Sequence, residues 1–168
     1  MFYRIKIKLR GITKPPVWRI MDLDGKTTLE GLSDNIRYSF GWSPFHMSRL
    51  ELPQGYVDIG GFEHDENLDV PISEVLCEGM KFRYIYDFGD WWVHDCTVLD
   101  VLQTKRERPP KKWESGAAPP EDCGGAARYM WMKKVMEDPD DPDYDEVNEW
   151  FGVEEGETFD PDDTFSKW

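Results

Sequence analysis

From Phe82 to Tyr86 every second side chain is aromatic, and beyond Asp87-Phe88-Gly89-Asp90 the chain returns through a second apolar-rich run, Trp91 to Val101. Period-two alternation sends successive side chains to opposite faces of a strand, and Asp and Gly tolerate the left-handed backbone of a tight turn. Phe82, Tyr84 and Tyr86 make one aromatic face, and the chain returns from Trp91 to Val101 through Val93, Thr97, Val98 and Val101. Two long strands joined so closely must pair antiparallel, which commits this part of the chain to an antiparallel sheet.

The other segments extend that sheet and cover it. Tyr3, Ile5, Ile7 and Leu9 alternate with Arg4, Lys6, Lys8 and Arg10, a strand with one apolar and one cationic face. Gly11 to Pro16 reads as a turn and Val17 to Leu23 as a strand pairing back; Leu29, Leu32, Ile36 and Phe40 fall at helical spacing before Gly41. Phe45 to Leu52 and Tyr56 to Ile59 suggest a short hairpin, followed by an acidic loop from Glu63 to Asp69 and one helical turn over 71–76. Lys105 to Pro120 is a basic, proline-rich connector without periodicity. Beyond Gly124-Gly125, a helix places Ala127, Trp131 and Val135 on one stripe, widened by Met132 and Met136 and stopped by Asp138-Pro139; Tyr144, Val147, Trp150 and Phe151 make a last helix. Strands early and helices late, without βαβ alternation, predict an α+β fold. The expected sheet is mainly antiparallel or mixed, with a β-grasp-like strand-strand-helix start, helices packed on one side and C-terminal helices. Residues 1–152 read as a single domain and 153–168 as an acidic C-terminal tail.

A chain of 168 residues buries enough surface to fold without disulfides. Its 39% hydrophobic content and eight Trp are incompatible with disorder. No apolar run reaches the roughly 18–20 residues that span a bilayer, and MFYRIKIKLR does not read as a signal peptide. Three Cys without framework spacing suit a reducing, cytoplasmic setting and no membrane partner. The net charge is −14, and residues 137–168 hold 14 acidic side chains against Lys167 alone. Such a molecule repels phosphate at long range, which argues against a nucleic-acid partner unless Arg4, Lys6, Lys8 and Arg10, with the Lys105 to Lys112 connector, form a strong local basic face.

Two stretches carry candidate chemistry. In Tyr86-Asp87-Phe88-Gly89-Asp90-Trp91-Trp92-Val93-His94, Asp87 and Asp90 flank the turn, while strand parity puts Trp92, His94 and Cys96 on one face. Two carboxylates and an imidazole are the parts of a metal site or an acid–base pair, and equally of a capped turn beside a packed core histidine. In Pro119-Pro120-Glu121-Asp122-Cys123-Gly124-Gly125, the glycines allow close backbone approach and Glu121 and Asp122 precede a helix N-terminus. That terminus would lower the Cys123 thiol pKa, and the adjacent carboxylates would raise it. His46, after Gly41-Trp42-Ser43-Pro44, is placed to face the hairpin; His64 reads as solvated in the acidic loop. The catalytic candidates are Asp87, Asp90, His94, Glu121 and Asp122. Trp91, Trp92, His46 and Cys123 are binding candidates, and Asp90, His94 and Cys123 are candidate ligands of a divalent metal. Walker, GxGxxG, GxSxG and HExxH signatures are missing.

Read in order, these motifs resemble the plasmid pRiA4b ORF-3-like family. The matching stretches are Tyr3 to Leu9 with Gly11-Ile12 and Pro15-Pro16-Val17-Trp18-Arg19, then Thr28-Leu29 through Phe40-Gly41-Trp42 with His46, the YDFGD hairpin with Trp92 and His94, and the PPEDCGG segment. Asp138-Pro139 through Trp150 and Phe159-Asp160-Pro161 resemble the family's C-terminal pattern. The resemblance implies a compact α+β domain of no established activity. It also implies further Cys before the PPED motif, and 113–118 has none, so a metal site built on those thiols lacks its ligands. Three functions follow as expectations: a non-enzymatic module binding a protein or peptide partner, a metal-dependent hydrolase or nuclease-like enzyme using the two motifs, and a mobile-element-associated DNA binder. All turn on whether residues 87–94 and 119–125 meet.

Overall fold

The computed structural model describes residues 1–61 and 65–164, so His64 and the end of the acidic terminus lie outside the described residues. The expected opening is present as β1 (Phe2–Leu9), β2 (Trp18–Asp24) and α1 (Leu29–Ser39). Thr28 caps α1 by accepting the Gly31 N–H, and Gly41 closes it at φ 75°. β3 (Ser48–Leu52) and β4 (Gly55–Ile59) form the short hairpin, and α2 (Ile72–Val75) is the single turn. The long hairpin is β5 (Lys81–Tyr86) and β6 (Trp92–Leu102); β7 (Glu114–Ser115), α3 (Gly125–Val135) and α4 (Tyr144–Phe151) follow, and a 3₁₀ turn at Glu66–Asp69 precedes α2.

Among the described residues these strands form one antiparallel sheet in the order β4-β3-β5-β6-β1-β2-β7, which resolves "antiparallel or mixed" in favour of antiparallel. β1 lies inside the sheet, and its odd side chains share one buried cluster with Leu32 and Ile36 of α1, Tyr129 and Met132 of α3, and Val147 and Phe151 of α4. The register carries the parity inward. Leu9 opposes His94 across β1 and β6, His94 opposes Tyr84, and Tyr86 opposes Trp92, all of them buried. No helix among the described residues is long and apolar enough to cross a membrane.

Four sequence-based expectations change. β3 begins at Ser48, leaving Phe45 and His46 in the loop after α1. The connector is not free over its whole length, because Ser115 to Pro120 are buried and β7 pairs with β2. On α3, Ala127 and Trp131 are exposed while Tyr129, Met132 and Lys133 are buried. Polar-tipped residues take the inward positions because their tips find carbonyls: the Tyr129 hydroxyl donates to Ala117 O at 2.8 Å, and Lys133 Nζ to Thr13 O at 2.9 Å. Lastly, the cationic face of β1 is open only at Lys8 and Arg10. Arg4 is 2% exposed and clamps Asp22 with two 2.8 Å bonds under the Trp113 ring, Lys6 lies over Trp18, and Arg10 pairs with Asp95. After α4 the chain packs back: Phe159 meets Phe151 at 4.5 Å, and Ala117 N–H donates to Pro161 O at 2.8 Å.

Candidate functional site

The two distinctive stretches meet. Asp90 Oδ2 accepts the Gly124 N–H at 2.8 Å, and a β-carbon on Gly125 would stand 2.8 Å from the main-chain oxygen of Asp90. The double glycine therefore lets the PPEDCGG loop come into backbone contact with the tip of the β5–β6 hairpin. The loop after α1 is the third wall. Trp42 stacks on Tyr86 at 4.8 Å and 9°, and its Nε1–H donates to Pro119 O at 2.9 Å, which fastens the double-proline segment. Glu121 turns back into this wall and accepts from Ser43 N–H at 3.0 Å, Ser43 Oγ at 2.9 Å and the Tyr86 hydroxyl. Burial, reinforced by that carboxylate, pushes the Tyr86 phenol pKa upward, so the ring stays protonated and serves as a donor.

At the centre lies His46. Its Nε2 is 2.9 Å from Asp122 Oδ1, its Nδ1 is 3.6 Å from Asp87 Oδ1, and its ring meets Tyr86 edge-on at 5.8 Å. Donor atoms of His46, Asp87 and Asp122 all lie within 4.8 Å of one another. Asp87 is buried, and its Oδ1 accepts the Gly89 N–H at 2.8 Å, closing the turn; Asp122 is exposed. Asp87, Trp91 and Asp122 hold φ values of 55°, 57° and 58°. Left-handed backbone costs a non-glycine residue about 1–2 kcal/mol, and three such residues at one junction mark a constrained site. On the outer side His46 lines a cleft of about 150 Å³ with Glu30, Asp34 and Arg37.

Several expected participants lie elsewhere. His94 is fully buried, its Nδ1 3.1 Å from Tyr84 O and its ring packed by Phe40, Trp42 and Tyr84 rather than facing the aspartates. Burial lowers its pKa to about 4, which keeps it neutral near pH 7. Trp92 is 1% exposed and belongs to the core, so it offers no contact surface. Cys123 is buried as well, and desolvation ahead of the Asp90 charge pushes its thiol up to about 12, so in the free chain it is protonated at neutral pH. Asp90 is at the junction but spends an oxygen on Gly124 N–H and lies outside the His46 group. Trp91, 49% exposed, does face outward.

A feature not anticipated from the sequence lies beside Trp91. Phe88 packs against it at 5.5 Å, the Arg49 guanidinium sits 5.5 Å from Phe88 and 4.2 Å from Tyr56, and Asp58 holds Arg49 with bonds of 2.5 and 2.9 Å. Trp91, Phe88, Arg49 and Tyr56 thus form a ladder leading away from the acidic junction. The alternation of Arg49 with Leu50 was a sign of an outward arginine, but only strand pairing brings Tyr56 and Phe88 to it.

Comparisons with known proteins agree with this architecture. Over 160 residues the chain is 29% identical to the uncharacterized protein y4hQ of Sinorhizobium fredii, covering 89% of this chain and 80% of that one. It also aligns with the crystal structure of MM3350, a protein of unknown function from Methanosarcina mazei Go1, at a TM-score of 0.78 and 26% identity, covering 99% of this chain and 96% of the other. The family described as plasmid pRiA4b ORF-3-like protein matches residues 1–166, and the chain belongs to that family.

Proposed function

We propose that the domain is a non-enzymatic interaction module whose contact surface is the hairpin tip, and that it recognises a protein segment carrying lysine or arginine. The observation that carries this reading is Trp91, whose indole is left 49% exposed on left-handed backbone and whose main-chain N–H donates to Asp87 O at 2.7 Å. Exposing an aromatic ring and straining its backbone both cost stability, and rigid exposed Trp is the side chain most enriched at binding hot spots. The partner's charge follows from the surroundings. Asp90 and Asp122 flank the tip, and an indole face adds cation–π attraction for an ammonium or guanidinium group.

The hydrolase reading draws less support, since its imidazole was to be His94, which is turned into the core. The DNA reading is weakened by the acids that already hold Arg4 and Arg10. Anisotropy titrations of labelled basic and acidic peptides against the full chain, run in chelator, test the module. Basic peptides should bind, and Trp91→Ala should weaken them by about tenfold or more, while Trp131→Ala on α3 should not. Equal binding by the Trp91→Ala chain, or indifference to peptide charge, overturns the proposal.

A further inference from the structure

We infer that His46, Asp87 and Asp122 form a binding site for one first-row divalent cation, of the zinc or manganese class. The donors come from three separate segments: the loop after α1, the hairpin tip and the PPEDCGG loop. One imidazole nitrogen and two carboxylates suit a borderline cation that accepts both nitrogen and oxygen, and three protein ligands leave a position for water or a partner's group. With bonds of about 2.0–2.2 Å, two donors on one ion stand roughly 3 Å apart at a right angle and about 4.2 Å apart when opposite. Here the closest pair is at 2.9 Å and all three lie within 4.8 Å, so the widest pair must draw in by up to about 0.6 Å to share one ion.

Asp87 supplies the independent reason for a cation. Its side chain is 8% exposed, and among the described residues its only partners are the Gly89 N–H on Oδ1 and His46 at 3.6 Å. Its Oδ2 takes no hydrogen bond among the described residues. Nor does any ion pair between described residues join a Lys or Arg to Asp87, Asp90, Glu121 or Asp122. A buried carboxylate beside other carboxylates, faced by no Lys or Arg ion pair and only by the His46 imidazole, is costly, and a divalent ion held on that imidazole offsets the cost. The half-buried His46 and exposed Asp122 give the ion its path in.

The cation site uses the same junction as the partner surface yet stands without it, because the peptide titrations above contain chelator. The test is calorimetric titration of Zn²⁺ into full-length chain stripped by chelator, repeated with His46→Gln, Asp122→Asn and a control, Asp160→Asn/Asp162→Asn, in the acidic terminus. One saturable site is expected, weakened about tenfold or more by either site substitution and unchanged by the control. Unfolding midpoints in chelator check that the variants remain folded. Asp122→Asn, at an exposed position, carries the test alone if His46→Gln is unstable. Co²⁺ in place of Zn²⁺ should give a visible absorption band that changes on loss of the imidazole ligand. Absence of saturable binding, or binding indifferent to both site substitutions, overturns the inference.

Discussion

Replacing Gly125 with alanine tests the junction on which both functional readings stand. Gly125 has φ 84°, and its added β-carbon would meet the Asp90 main-chain oxygen at 2.8 Å. Two costs add: about 1–2 kcal/mol for left-handed backbone in an L-residue, and about 1–3 kcal/mol for overpacking against backbone that has no side chain to swing away. The expected loss is about 3 kcal/mol, a fall in Tm of roughly 6–12 °C for a chain of this size. Two other glycines separate the terms. Gly152, at φ 61° with nothing within 4 Å, should show the backbone cost alone. Gly124, at φ 98°, would push only on the Arg128 side chain, with Cδ at 2.6 Å, and should fall between them. Urea unfolding of the three alanine variants, with unchanged m-values, gives the ranking. If Gly125→Ala is no more damaging than Gly152→Ala, the hairpin tip does not press on the PPEDCGG loop, and the site as described here does not exist.

Other outcomes follow from the buried charges and thiols. Asp22→Ala leaves the Arg4 guanidinium with only the Arg108 carbonyl and a distant Asp100 and should cost roughly 3 kcal/mol, whereas an Arg4→Met/Asp22→Leu double variant should recover most of that in the same denaturant assay. His94 has its folded pKa lowered to about 4, so between pH 6.5 and 4 the unfolded chain binds the extra proton and stability drops as pH falls. The drop attributable to this group is about 3 kcal/mol; the stability difference between pH 7 and pH 4 should shrink accordingly in His94→Gln, and an unchanged difference refutes the assignment. Thiol titration of the native chain should modify the exposed Cys77 and spare Cys96 and Cys123 until denaturant is added.

Much of this molecule is legible in local patterns, and the parts that are not share a cause. Alternation fixes which side chains of a strand travel together but not which face the helices cover. Trp92, His94 and Cys96 do share a face, as parity requires, and that face is the core because Trp42 stacks on Tyr86, the cross-strand neighbour of Trp92, and Phe40 and Trp42 meet the His94 ring. The imidazole at the hairpin is instead His46, delivered from a loop 41 residues upstream of Asp87 by the pairing of β3 with β5. Arg4 shows the same limit from the other side: the cationic row of β1 is real, but nothing local reveals that Asp22, Trp113 and the Arg108 carbonyl converge on it. Turn chemistry was the more informative signal. Asp, Gly-Gly and Pro-Pro mark places where backbone geometry itself is demanding, and the demand at 87–91 and at 122–125 is met by one mutual contact, Asp90 against Gly124 and Gly125. A site assembled from such segments is held by backbone contacts and buried rings, so substitutions of its exposed side chains, Trp91 and Asp122, should alter binding while leaving stability nearly intact. That separation distinguishes a binding surface from a merely well-packed corner of the fold.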